Sequence, residues 1–219
     1  MFTIVAHRGL HDEFVENSLA AFCDAWSKGI HWCECDVHLS ADEQPVVLHD
    51  DTLDRTSGGH GPVATYTLSQ LRFYGVPSLQ EVIKAMPPAG GLLVEYKPPH
   101  PPDHPALVEM AQKLMSPNFI LQSFNLDQIL GVWRRFGPKL DCAMLSEDLK
   151  DLLHPAAAEL PRIHLRHDLL TPSLAQQLRD RGKSLGVWTP NEDAEIARAI
   201  HMGVSMIITD RPHWRPTAA

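Results

Sequence analysis

The chain has 219 residues, 44% hydrophobic and 21% charged, with 19 Lys and Arg against 27 Asp and Glu for a formal net charge of −8. This is the composition of a globular protein, which excludes a disordered chain. The acidic balance excludes a broad grip on nucleic acid, which needs many cations set against backbone phosphates.

The chain enters an apolar, strand-like run at once (Phe2, Ile4, Val5). No secretory leader pattern is visible, no apolar run reaches the ~18 residues of a membrane span, and a cytoplasmic location is expected. Short apolar runs then alternate with helix-like stretches to the far end, the pattern of an α/β fold with a parallel sheet. Strands are predicted over residues 3–7, 32–37, 92–97, 119–123, 141–145, 162–166, 184–189 and 205–209. Helices are predicted over 18–29, 68–86, 104–115, 126–136, 172–181 and 192–201. Asn125 and Asn191 stand where N-caps belong, and Gly29, Gly182 and Gly203 stand where helices should stop.

A further apolar run, 45–49, follows the second strand after too few residues for a crossover helix. A turn at 41–44 makes it a hairpin arm and sets Asp36 roughly opposite His49. Eight βα units predict a compact (β/α)8 TIM barrel forming a single catalytic domain over 1–219, with no large inserted domain, since the fold alone typically takes roughly 250 residues. An open doubly wound sheet is the alternative that the same alternation allows. The Pro-rich stretch 98–105 reads as a stiff loop. Cys23, Cys33, Cys35 and Cys142 lack zinc-type spacing and are expected to be free, buried thiols in a reducing compartment.

Active sites of such barrels lie at the C-terminal ends of the strands, and chemistry-bearing residues gather there. His7 and Arg8 end the first strand, His49 ends the hairpin arm, and Glu95 and Lys97 end the third. Glu34 and Asp36 are two apart, so both carboxylates project to one face while Cys33 and Cys35 project to the other. Three converging carboxylates repel one another unless a cation lies between them, and a hard divalent ion, Mg2+ or Ca2+, suits oxygen ligands. The other reading pairs the same acids with Arg8 and Lys97 in a buried ionic network. His7 and His49 suit proton transfer near neutrality, and Arg8 and Lys97 suit a phosphate. Phe124 and Trp188 either line a pocket for the organic part of a substrate or pack the barrel mouth.

These residues also carry a resemblance. His7-Arg8-Gly9, Glu16-Asn17-Ser18, Glu34-x-Asp36-Val37 and His49-Asp50, in this order, resemble the glycerophosphodiester phosphodiesterase family. Leu53-Asp54-Arg55-Thr56, Pro77-Ser78-Leu79-x-Glu81-Val82, Glu95-x-Lys97, Gln122-Ser123-Phe124, Val187-Trp188-Thr189-x-Asn191 and Ile208-Thr209-Asp210-Arg211-Pro212 extend the likeness to nearly the whole chain. It implies a barrel that hydrolyses small glycerophosphodiesters to glycerol 3-phosphate and an alcohol, in lipid and glycerol metabolism. It further implies metal ligation by Glu34, Asp36 and Glu95, acid and base roles for His7 and His49, and phosphate contacts from Arg8 and Lys97.

Three positions depart from the family pattern. Ser18 replaces the commoner Thr, the 41–44 turn lacks the usual Gly, and the segment before the last strand lacks the usual Asp. The stretch between His49 and Pro77 is short, so the mouth should be open. A lysophospholipase D-like specificity, or an inactive barrel that binds phosphate ligands, is the competing expectation.

Overall fold

The structure is a computed structural model that describes residues 2–97 and 99–215. Strand β1 (Thr3–Ala6) pairs in parallel both with β2 (Trp32–Leu39) and with the last strand, β9 (Met206–Thr209), which closes the sheet. Between them run β4 (Gly91–Tyr96), β5 (Phe119–Ser123), β6 (Asp141–Ser146), β7 (Arg162–Arg166) and β8 (Ser184–Trp188), each parallel to its neighbours. β3 (Pro45–Val47) is the hairpin arm, antiparallel to β2. The result is the predicted closed barrel of eight parallel strands with one extra strand, and not the open sheet.

Strand alternation divides the core into two layers. Cys33, Cys35, Val37, Leu92 and Val94 face outward against the helices, while Val5, Leu93, Ile120, Ala143, Met206 and Ile208 fill the barrel together with Trp32 and Trp188. Each fully buried aliphatic side chain contributes about 1.5–3 kcal/mol relative to exposure. At the N-terminal end the interior becomes polar. Arg162 donates to Asp141 at 2.6 Å and to Ser184 at 2.8 Å, and Ser184 bonds Ser205 at 2.7 Å.

The helices are α1 (Leu19–Ser27), α2 (Leu68–Phe73), α3 (Leu79–Ala85), α4 (Pro105–Lys113), α5 (Leu126–Phe136), α6 (Pro172–Asp180) and α7 (Asp193–His201). Ser18 and Asn125 cap α1 and α5 as their side chains predict. The predicted helix over 68–86 is two helices. Gly75 turns the chain at φ +80°, Pro77 has no N–H to continue a helical ladder, and Ser78 opens α3 with a capping box to Glu81.

Three other expectations need correction. Asn191 does not cap α7, whose N-cap is Glu192, because its side chain is taken up by Asp210 and Thr209. Cys23 is exposed, since it lies on the solvent side of α1, while Cys33, Cys35 and Cys142 are buried and all four are free. In the hairpin, Val37 faces Val47 and the Leu48 N–H donates to the Asp36 carbonyl at 3.0 Å, so His49 falls one residue beyond Asp36. Pro98, the first residue of the predicted proline-rich loop, lies outside the described residues. The stretch after the hairpin folds back on it through a small cluster of Val46, Leu48, Leu53, Val63, Leu71 and Val76. No described helix is long and apolar enough to cross a membrane.

Candidate active site

Eight of the nine predicted site residues line one cavity of about 310 Å³ at the C-terminal mouth of the barrel: His7, Arg8, Glu34, His49, Glu95, Lys97, Phe124 and Trp188. The ninth, Asp36, is held against both cations, 3.2 Å from Arg8 Nε and 3.0 Å from Lys97 Nζ. β1 delivers the first pair through a tight turn. Arg8 has φ +57°, Gly9 has φ +82°, and a Cβ on Gly9 would stand 2.8 Å from the Ala21 carbonyl carbon. Only glycine fits that contact.

Glu34, Asp36 and Glu95 each offer a carboxylate oxygen, all within 4.8 Å of one another, and all three residues are buried. Their surroundings differ. Burial alone would raise Asp36, but Lys97 and Arg8 hold it down to about 2. Burial raises Glu95 to about 7, with the Asp36 charge adding to the effect and Lys97, 2.7 Å away, opposing it. Burial, followed by the Asp36 and Glu95 charges, raises Glu34 well above the carboxylate range. Glu34 accepts the Arg8 backbone N–H at 3.2 Å and, among the described residues, has no ion pair. The two readings of these acids therefore both apply in part: Asp36 and Glu95 pair with the cations, whereas Glu34 is a buried carboxylate with no ion-pair contact among the described residues. Such a group is costly in a dry interior, and a hard cation among the three acids would remove that cost, so the donor set fits a divalent metal.

Each imidazole rests on a carboxylate. His7 Nδ1 is 2.7 Å from Asp210 Oδ1, and His49 Nδ1 is 2.7 Å from Asp50 Oδ1. An ionised carboxylate only accepts, so Nδ1 carries a proton in both rings and Nε2 is left as the atom that takes or gives one. Burial lowers His49 below the ordinary imidazole value, against the opposing pull of Asp36 and Asp50. Burial alone would raise Asp210, but hydrogen bonds from His11, His7 and Asn191 hold it far below the carboxylate range. Arg55 binds Asp50 and also Glu16, which in turn takes Arg8 Nη1 at 2.8 Å. A continuous ionic chain thus runs from His49 to the metal-type cluster.

Across the cavity, Phe124 and Trp188 meet edge to face with ring centroids 5.5 Å apart. Asp50, Asp210, Asn17 and Glu16 were all present in the sequence motifs but carried no predicted role, because nothing in strand spacing says which carboxylate lies behind which ring. The His pairs supply that signal only once the barrel is closed.

Buried acids, two carboxylate-backed imidazoles and fixed cations around one cavity have the chemistry that suits hydrolysis of phosphate esters. Residues 7–214 match the glycerophosphoryl diester phosphodiesterase family, and the chain belongs to that family. It is 30% identical to a glycerophosphodiester phosphodiesterase of Caldanaerobacter subterraneus over 95% of this chain and 94% of the other. The solved glycerophosphodiester phosphodiesterase of Agrobacterium tumefaciens superposes with a TM-score of 0.77 at 27% identity, covering 97% of each chain. A phosphodiesterase of Oleispira antarctica, solved in complex with the product sn-glycerol-3-phosphate, superposes with a TM-score of 0.81 at 22% identity, covering 96% of this chain and 93% of the other. The protein is accordingly an enzyme of the glycerophosphodiester phosphodiesterase kind.

Proposed function

We propose that the whole chain acts as one catalytic domain that hydrolyses glycerophosphodiesters to glycerol 3-phosphate and an alcohol. In this reading Glu34, Asp36 and Glu95 hold Mg2+ or Ca2+, and His7 and His49 move the protons. The observation that carries it is Glu34, a carboxylate 2% exposed, without an ion-pair partner among the described residues, converging with two other acids. When bound, a divalent ion there would polarise the phosphoryl oxygens and offset their charge.

The remaining work falls to the chain's own residues. Arg8 and Lys97 line the cavity, anchored from behind by Glu16, Asp36 and Glu95, and present positive charge to the phosphoryl group as charge shifts in the transition state. His49, whose burial favours the neutral ring, takes the proton of the nucleophile at Nε2. His7, backed by Asp210, in its doubly protonated form gives the Nε2 proton to the departing alkoxide and is left as the neutral Nδ1–H ring. Phe124 and Trp188 flank an organic arm of the diester and exclude water from that side. The product held by the Oleispira relative is the one this reaction yields. Four free cysteines are in keeping with a reducing cytoplasm as the place of action.

The test is release of glycerol 3-phosphate from a panel of glycerophosphodiesters before and after EDTA, with metal titrated back. Activity should vanish with chelation and return with Mg2+ or Ca2+. Turnover at the untreated rate in EDTA would remove the metal from the reaction. His7→Ala and His49→Ala should each cost about 10²–10⁴-fold in rate, and wild-type turnover by either would remove that ring from the proton transfers.

A further inference from the structure

The two imidazoles of the site stand on different supports. Asp50, behind His49, also accepts Arg55 Nε and Nη2 at 2.7 and 2.9 Å. That guanidinium keeps its charge across the whole physiological range. Asp210, behind His7, is shared differently. Its Oδ1 faces His7 Nδ1 at 2.7 Å and His11 Nε2 at 3.3 Å, and its Oδ2 accepts from Asn191 Nδ2 at 2.6 Å. Asn191 is neutral, so among the described residues the cation that competes with His7 for this carboxylate is another histidine. His11 lies in the loop after β1, between the His7-Arg8-Gly9 and Glu16-Asn17-Ser18 motifs and part of neither.

We propose that His11 is a positioning residue that acts through Asp210, its charge setting how firmly that carboxylate holds the Nδ1 proton of His7. The consequence for the rate rests on the acid role proposed for His7 above. When His11 is protonated, the negative charge of Asp210 is divided between two rings. When His11 is neutral, the whole charge supports the His7 Nδ1–H. The charged groups facing His11 are Asp210, Glu16 and Arg8, two carboxylates against one guanidinium. The hydrogen bond to Asp210 raises His11 above the ordinary imidazole value against its burial. The site therefore has one proton-transfer group on a permanent support and one on a support that itself titrates.

Two full-length variants separate charge from shape: His11→Gln keeps a donor for Asp210 without charge, and His11→Lys keeps the charge without titrating near neutrality. The readouts are the low-field proton resonance of His7 Nδ1 and the pH profile of kcat/KM for glycerophosphodiester hydrolysis. At pH 6, His11→Gln should move the resonance downfield of wild type and shift the basic limb of the profile up by about 0.5–1 pH unit. His11→Lys should match wild type at pH 6 and hold that resonance position unchanged to pH 8. Wild-type resonance in both variants, or the same displacement in both, overturns the proposal. A displaced resonance with an unmoved profile upholds the coupling and instead removes His7 from the acid role, a loss that a fully active His7→Asn would show independently.

Discussion

Asn17 holds Asp36 at two points, donating from Nδ2 to Oδ2 at 2.7 Å and accepting the Asp36 backbone N–H on Oδ1 at 3.3 Å. Asn17 is itself buried with φ +58°, a backbone conformation that Asn tolerates better than most residues. It orients the one acid of the cluster that stays ionised without help from a metal. Asn17→Ala should weaken Mg2+ or Ca2+ binding by about 10–100-fold, the usual loss when a ligand's outer support is removed. Calorimetric titration checks this, and an unchanged affinity would mean that Arg8 and Lys97 suffice to orient Asp36.

Metal binding should release protons. Burial and neighbouring charges raise Glu34 well above its ordinary value and Glu95 to about 7, so the metal-free cluster carries protons at neutral pH. A cation needs them gone. Affinity should therefore climb as pH rises through 7. Titrations at pH 6 in two buffers of different ionisation enthalpy should give different heats, and identical heats would refute proton release.

Gly9→Ala should damage both stability and activity. The residue sits at φ +82° and its new Cβ would meet the α1 backbone, forcing the His7-Arg8 turn off the helix. Strain of this kind costs about 1–3 kcal/mol. Urea melts would show a lowered midpoint, and kcat should fall with it because both residues that line the cavity here are carried by the turn. A variant with wild-type kcat would show that the turn can relax without moving His7.

The buried His164 should make the fold acid-sensitive. Its Nδ1 donates to Gln122 Oε1 at 2.8 Å, and burial pushes it down to about 3. The unfolded chain takes up a proton near 6.5, which the folded chain refuses until about pH 3. This contribution to stability is therefore full above pH 6.5 and is lost as pH falls through that window, at about 1.4 kcal/mol per pH unit. Between pH 7 and 5 the wild type should lose about 2 kcal/mol that His164→Asn does not. Denaturant titrations at the two pH values measure the difference, and equal losses in both proteins would sink the assignment.

Much of the site was legible before folding because period-two alternation tells which side chains share a face. Glu34 and Asp36 separate from Cys33 and Cys35 on that ground alone, and the C-terminal strand positions place His7, Glu95 and Lys97 beside them. The spacing predicts one helix over 68–86 because its apolar pattern runs through Gly75 and Pro77 without a break. There the backbone chemistry of two residues outweighed periodicity. Asn191, a residue type suited to capping, instead bonds a charged partner, Asp210, just beyond β9.

The amino-acid sequence by itself determined the alternation of strands and helices, the inward set of side chains and the family, since these depend on local spacing and residue type. Only the tertiary structure decided the partnerships. His7 and Asp210 are 203 positions apart and meet because β1 pairs with β9 to close the barrel. The same closure brings His11 to that carboxylate and leaves Glu34 without an ion pair among the described residues. Which charge neutralises which is a property of distances across the ring, and no one-dimensional pattern encodes those distances.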